Sequence, residues 1–437
     1  YVFAPRACSL MKVLLVNTYD RGGAANACIR LHLALIDAGH TSHLLTLNKT
    51  RDDIPFHFDY KSFTGLEAGN ILNRVSHITV NGVHEYKTQD IKDICTAASK
   101  YTDVFSSIYS DFRIENAPQI SEYDVVNLHW TSRFLNWPTF FASKSIKRVI
   151  WSLHDMAPFT GGYHYSDGFE GYKTDDSNPH FLRQTSDPDF AKKLLLSKQN
   201  ILRNSDIPVA VISLSNWLHE CAASSTLFKH YPIKRIANSV NTETYRYLDK
   251  RGARKHLGLP EDKDIVLFIS DSVNNKRKGF HLLEKAINKA SNRRIMLCSV
   301  GKNFDSNLPE VHDFSEVHDE DKLALIYSAA DVFVLPALED NLPNVVIESL
   351  CCGTPVVGFN IGGMPDMIED GVNGRLAKDI SAEGLLASLN DVLNNGVSKT
   401  SGQISQHARN TYSQSHQAEM FNLYLNDLRS NTSSRKP

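Results

Sequence analysis

The sequence predicts an α/β protein of two Rossmann-like domains, each a doubly wound parallel sheet, facing a cleft. Three observations predict it. The chain opens as strand, glycine-bearing turn, helix and strand, and a second alternation of the same kind begins after about residue 255. At 437 residues it is also too long for one hydrophobic core, so two domains of roughly 200 residues each are expected.

The first βαβ unit reads KVLLVNT, YDRGG, AANACIRLHLALIDAG and HLLTL. The apolar run Val13 to Val16 is too short for a secretory leader and ends in polar residues, so it is a strand. Residues 62–118 read as mostly polar helix without chemical signal. Strand patterns return at YDVVNLHW and KRVIWSLHD, each closing on a histidine, followed by a polar and aromatic loop over 159–190. The second alternation runs DIVLFIS, the basic turn NNKRKG, FHLLEKAINKA, RRIMLCSVG, EDKLALIYSAA and DVFVLPAL. The expected domains are 11–240 and 241–402. A closing helix over 403–429 is expected to pack back on the first domain, and the tail 430–437 is expected to be disordered. Residues 1–10 follow no pattern and are set aside as a remnant belonging to neither domain.

Composition narrows the chemistry. An apolar share of 42%, a charged share of 22% and a formal charge of −2 describe an ordinary globular chain with no bulk attraction for nucleic acid or anionic membrane. An anionic ligand must therefore be held locally. Seven scattered cysteines make neither a disulfide framework nor a CxxC pair, which points to a reducing compartment. No run approaches a membrane span.

In open parallel sheets, ligands bind beyond the carboxyl ends of the strands. Gly22 and Gly23 lie between the first strand and its helix, where missing Cβ atoms would let a phosphate approach backbone N–H groups; a plain tight turn explains them equally well. Lys276, Arg277 and Lys278 precede a helix start, where cations oppose the helix dipole unless an anion arrives. In EDNLPNVVIESLCCGTPVVGFNIGG, Asn341 is the expected N-cap with Pro343 in the first turn. Glu348 offers a bidentate acceptor for paired ribose hydroxyls and Asp340 an acceptor for a hexose hydroxyl; the bland alternative is a solvent-facing Glu348 and a capping Asp340. Gly353 ends this helix, and Gly362 with Gly363 form another loop at the same edge. His129 and His154 end neighbouring strands and are either cleft-facing or structural. Asp187-x-Asp189 precedes a helix and reads as a capping segment rather than a metal site.

The stretches WSLHDMAPFTGGYHY, NKRKGF and YSAADVFVLPALEDNLPNVVIESLCCGTPVVGFNIGGMPD resemble the retaining GT-B glycosyltransferases of the glycogen-synthase and mannosyltransferase-like group, family 4 type. The resemblance covers Met11 to about Tyr424 and is nearest to bacterial colanic-acid and exopolysaccharide enzymes. It implies transfer of a hexose from a nucleotide diphosphate sugar, UDP- or GDP-linked, to an acceptor sugar hydroxyl in cell-surface polysaccharide or lipopolysaccharide assembly. No metal and no cofactor are expected. By the same resemblance, Glu348 holds the ribose, Asp340 touches the donor sugar, and backbone N–H groups of Asn341, Leu342 and Asn344 line the sugar and phosphate site. Lys278 binds the diphosphate, and His129 sits by the transferred sugar with His154 close to it. The acceptor is an oligosaccharide or lipid-linked glycan, which places the work in the cytoplasm with room for peripheral contact at the inner membrane face.

Three departures qualify the resemblance. Asp340 is one methylene shorter than the usual Glu. The arginine that often precedes the family's lysine has no match in ISDSVNN, leaving Arg277 or Lys276 to replace it. Tyr163 and Phe169 stand where similar chains carry cysteines, so no zinc knuckle is expected. A sugar-nucleotide 2-epimerase of the same fold and a weakly active glycan-binding protein are the rival readings.

Overall fold

The computed structural model describes residues 10–67, 77–80, 84–175, 179–183, 185–273, 275–290 and 294–430. The expectations for the remnant 1–10 and the tail 430–437, apart from Leu10 and Ser430, fall outside them. The chain forms two compact units, Tyr1–Ile236 with Ala418–Pro437, and Ala237–Gln417.

The first unit is built on a seven-stranded sheet. Its strands are β1 (Lys12–Val16), β2 (Thr41–Thr46), β3 (His57–Asp59), β6 (Val125–Leu128), β7 (Val149–Leu153), β8 (Val209–Ser213) and β9 (Ile233–Arg235), in spatial order β3-β2-β1-β6-β7-β8-β9. All neighbours pair in parallel. Every residue of β6, β7 and β8 is buried, as expected of strands covered on both faces. The order reverses between β1 and β6, where Val13 to Val16 pair with Val125 to Leu128. That reversal leaves a crevice at the carboxyl ends of the two strands.

Residues 62–118 depart from the expected polar helix. They include an antiparallel hairpin of β4 (His77–Val80) and β5 (His84–Lys87), followed by a helix, Thr88–Thr102. Ile78, Val80 and Tyr86 give this hairpin the β-branched and aromatic content that favours strands over helix. Tyr163 and Phe169 pack edge to face at 6.0 Å, so rings fill these two loop positions. Tyr163 is fully buried in the core.

The second unit carries a six-stranded parallel sheet. Its strands are β10 (Asp264–Ser272), β11 (Ile295–Lys302), β12 (Val311–Asp313), β13 (Val332–Leu335), β14 (Val356–Phe359) and β15 (Gly374–Ala377), in spatial order β12-β11-β10-β13-β14-β15. Here the reversal falls between β10 and β13, which pair at Val266 with Val332 and Leu267 with Phe333. The basic turn after β10 and the carboxylate-bearing helix after β13 are therefore neighbours.

The single closing helix expected over 403–429 is two helices, Ser401–Thr411 and Gln414–Ser430. They separate at Tyr412 and Ser413, where the Tyr412 carbonyl accepts from Val240 N at 2.9 Å and Ser413 forms a parallel bridge with Val240. That strand-like pairing takes the backbone out of the helical ladder. The first helix belongs to the second unit, and from Ala418 onward the chain belongs to the first. There Tyr424 donates its hydroxyl to the Pro232 carbonyl at 2.8 Å.

Gly279 shows how tightly the basic turn is seated. With φ at +73°, it lies so close to the end of β13 that a Cβ would come within 1.8 Å of the Pro336 carbonyl oxygen. Gly258, at φ +68°, has open space around the same position. Gly279→Ala is expected to cost about 3 kcal/mol or more through steric conflict and backbone strain, and Gly258→Ala about 1 kcal/mol through strain alone. Urea denaturation of the two variants checks the difference; equal losses would mean that the turn relaxes freely.

Candidate functional site

In the second unit, Lys276–Lys278 form one 3-10 turn, capped by the Asn275 side chain, which accepts from Arg277 N at 3.0 Å. Gly279 then starts the Phe280–Lys289 helix. Lys276 stays exposed, while Arg277 and Lys278 turn inward. Lys278 Nζ donates to Asp340 Oδ2 at 2.6 Å, and Arg277 Nη1 lies 3.6 Å from the same oxygen. Arg277 Nη1 also donates to the Glu339 carbonyl at 2.9 Å. Asp340 is only 7% exposed. Burial alone would raise its carboxyl, but the Lys278 and Arg277 charges outweigh burial and hold it below the usual carboxylate range.

The helix after β13 begins later than the sequence suggests. It spans Asn344–Cys351 with Pro343, not Asn341, at the capping position, and no side chain caps it. The reason is local: a proline disfavours helical geometry in the residue before it, so Leu342 cannot join the first turn. Asn341 and Leu342 are buried in the preceding loop, and the Asn344 side chain accepts from Asn238 at 3.0 Å. Glu348 does not face solvent. It is 6% exposed and accepts from the Tyr327 hydroxyl at 3.1 Å. The double glycine has a steric explanation: at φ +51°, Gly362 packs where a Cβ would meet the Asp340 carbonyl oxygen at 1.9 Å, and Gly363 N donates to that oxygen at 3.1 Å. Lys278, Arg277, Asp340, Asn341 and the Gly362 loop thus form one cluster at the sheet's carboxyl edge.

In the first unit, the loops after β1, β6 and β7 build a second polar cleft. Trp130 N donates to Asn17 Oδ1 at 2.9 Å, and Thr18 donates through N to the Trp130 carbonyl and through Oγ1 to the Ser132 carbonyl, both at 2.8 Å. Tyr19 stacks on Trp130 at 5.6 Å. Gly22 caps the Gly23–Asp37 helix at the end of the loop after β1, with open space beside both glycines.

His129 and His154 line this cleft together, their ring nitrogens Nδ1 and Nε2 2.8 Å apart. Asn127 donates through Nδ2 to the Ile150 carbonyl and Ser152 Oγ, which leaves its Oδ1 to accept from His129 Nε2 at 2.9 Å. His129 Nδ1 must then accept from His154 Nε2. Burial pushes His129 well below its ordinary value, helped by His154; burial pushes His154 down to about 4, with Asp155 opposing.

Sequence reading missed a second chain of contacts in the same cleft. Asp155 Oδ2 accepts from Trp130 Nε1 at 2.9 Å and from His164 Nδ1 at 2.6 Å. His164 Nε2 lies 2.7 Å from Ser106 Oγ, which bonds in turn to Ser132 Oγ. Behind them Lys198 Nζ donates to the carbonyls of Ala157 and Thr160. Burial brings its amine down to about 7, against the pull of Asp155. Signals existed for two members, since Asp155 follows His154 at the strand end and His164 follows FTGGY; Ser106 and Lys198 carried none. Asp187, by contrast, is held by Lys193 at 2.8 Å and by the Tyr86 hydroxyl, so it is a structural residue.

Residues 249–411 match the family model for glycosyl transferases group 1. That match lies within the second unit. A sequence match also extends beyond it: D-inositol 3-phosphate glycosyltransferase of Thermobispora bispora is 23% identical over 401 residues, 86% of this chain and 83% of that protein. D-inositol 3-phosphate glycosyltransferase 2 of Catenulispora acidiphila is 31% identical over 163 residues, 33% of this chain and 38% of that protein. The chain spans little more than a third of the length of the curated relatives it first matches. Sucrose-phosphate synthase of Thermosynechococcus elongatus superposes with a TM-score of 0.64 at 19% identity, covering 97% of this chain and all of that one. Anabaena Alr3699/HepE in complex with UDP-glucose gives 0.61 at 16%, covering 95% and all of that chain. The two parallel-sheet units are those of the GT-B fold.

Two histidines of the first unit, buried His32 and half-buried His154, set an acid limit on it. His32, whose ring nitrogens lie 2.8 Å from Ser42 Oγ and from the Pro55 carbonyl, is pushed by burial to about 4, as His154 is. Unfolded, both bind a proton near pH 6.5, so their contribution is complete above that value and is lost as pH falls toward 4. Each is expected to cost roughly 1–2 kcal/mol by pH 5. Urea midpoints between pH 8 and 5 check this; a flat profile would mean that the histidines are charged in the native state. The depressed Asp155 and Asp340 carboxyls act in a separate, lower window, below the ordinary Asp value of 3.8.

Proposed function

We propose that the protein is a retaining glycosyltransferase that moves a hexose from a nucleoside diphosphate sugar, held by the second unit, to a hydroxyl of a glycan acceptor. The observation that carries the reading is the buried Asp340 with Lys278 and Arg277 on one of its oxygens, one loop away from the buried Glu348. A leaving nucleoside diphosphate gains negative charge as the anomeric C–O bond breaks, and preorganised cations are worth most beside its phosphates. Lys278 and Arg277 supply that charge when the diphosphate displaces them from Asp340. The freed Asp340 carboxylate accepts from a hexose hydroxyl, and Glu348, fixed by Tyr327, accepts from the ribose. With two cations and the uncapped Asn344–Cys351 helix start beside the phosphates, no divalent ion is needed.

Retention follows from front-face attack: the acceptor oxygen bonds to the anomeric carbon on the side from which the phosphate leaves, and the departing phosphate oxygen takes the acceptor proton. The biological setting consistent with this chemistry is bacterial cell-surface polysaccharide assembly at the cytoplasmic membrane face. Among the described residues, no helix is long and apolar enough to cross a membrane. The similarity to D-inositol 3-phosphate glycosyltransferases suggests a second acceptor, an inositol phosphate.

A thermal-shift panel of UDP-, GDP- and ADP-sugars, with EDTA and with Mg²⁺, tests the reading, since a ligand bound only by the native state raises Tm. One nucleotide is expected to stabilise the protein equally with EDTA. Dependence on Mg²⁺ would overturn the metal-free mechanism, and no shift with any nucleotide would overturn the transferase reading. Lys278→Ala is expected to weaken nucleotide binding about tenfold or more by removing a charge-assisted contact to phosphate. Wild-type affinity in that variant would remove Lys278 from the site.

A further inference from the structure

The acceptor's chemical class is open between a neutral sugar and a phosphorylated polyol, and the cleft of the first unit discriminates between them. Its half-buried rim includes Ser107, Trp130, Ser132 and His154, none of which carries a permanent charge. Among the described lining residues the ionisable groups other than histidines are Asp155 and Lys198, and both lie behind the rim, 6% and 3% exposed. Lys198 Nζ, whose amine burial brings down to about 7, donates to two main-chain carbonyls and sits 5.2 Å over the Trp137 ring, so it has little left for a ligand. The Asp155 carboxylate faces the same space. A phosphate monoester placed here would meet an anion and no available cation.

The same wall suits hydroxyl groups. Asp155 fixes the Trp130 indole through Nε1 and fixes His164 through Nδ1, and His164 in turn aligns the hydroxyls of Ser106 and Ser132. A hydroxyl can both donate and accept, so this row accommodates the mixed donor and acceptor pattern of a polyol. Trp130, backed by Tyr19, supplies the flat apolar face on which the C–H side of a sugar ring packs.

We infer that this cleft binds an uncharged polyhydroxyl ring, the hydroxyl-bearing end of the acceptor, and excludes a phosphate-bearing one. Asp155 is its positioning residue. The inference rests on the transferase reading for the word acceptor, but not for the site itself.

Saturation-transfer NMR on the full chain without nucleotide tests it, with methyl α-glucopyranoside, myo-inositol and myo-inositol 1-phosphate as probes. The two neutral probes are expected to bind, and the phosphate at least ~tenfold more weakly, as like-charge juxtaposition dictates. Trp130→Ala is expected to abolish the neutral signal, and Ser107→Lys, which brings a cation to the rim, to admit the phosphate; thermal melts verify that both variants fold. Stronger binding of the phosphate by wild type, no binding of either neutral probe, or a neutral signal unchanged in Trp130→Ala would each overturn the inference. The nucleotide panel reports on the transferase reading separately. Nucleotide binding with a phosphate-preferring cleft would sink this inference alone, and a neutral-binding cleft without nucleotide binding would sink the transferase reading alone.

Discussion

Parallel strand pairing is the constraint from which both polar clusters follow. A parallel sheet puts every carboxyl end on one edge, and a reversal of strand order leaves two of those ends side by side without a crossover between them. In the second unit the reversal joins β10 to β13 through Val266 with Val332 and Leu267 with Phe333. Lys278 and Asp340, 62 residues apart in sequence, thereby come to share a proton-bearing contact of 2.6 Å. In the first unit the reversal joins β1 to β6, and Asn17 and Thr18 clasp the loop that carries Trp130 and Ser132.

Burial then gives the two clusters opposite electrostatic characters. In the second unit two cations converge on one carboxylate, which leaves an excess of positive charge. In the cleft of the first unit burial keeps His129 and His154 neutral, and Lys198 is engaged by carbonyls. The proposed transferase reading assigns the first arrangement to phosphate and the second to hydroxyl. A reaction that joins a phosphate-linked sugar to a hydroxyl needs one of each.

Local patterning made much of this legible. The strand and helix alternation, the Lys276–Lys278 turn and the strand-end histidines were all readable, because each depends on neighbours within a few residues. Glu348 was readable as a candidate, but its burial was not. The failures share a cause. The Pro343 start of the helix was misjudged by placing Asn341 at the cap, although the restriction that proline imposes on Leu342 was present in the sequence. The closing helix was read as one because nothing between 403 and 429 announces that Tyr412 and Ser413 pair with Val240. Ser106 and Lys198 were invisible since His164 lies 58 residues from the one, and the carbonyls held by the other lie 38 and 41 residues away.

The sequence by itself determined the fold class, the longer strands outside residues 62–118 and the residue types available at their carboxyl ends, since periodicity and turn chemistry are short-range properties. Only the tertiary structure decided which of those residues meet. It put Asp340 against Lys278 rather than solvent, required Gly362 where a Cβ would strike the Asp340 carbonyl, and assembled Asp155, His164, Ser106 and Ser132 into one hydrogen-bonded row. Strand order in a sheet is set by which faces bury most completely over the whole chain, and no local pattern encodes that sum.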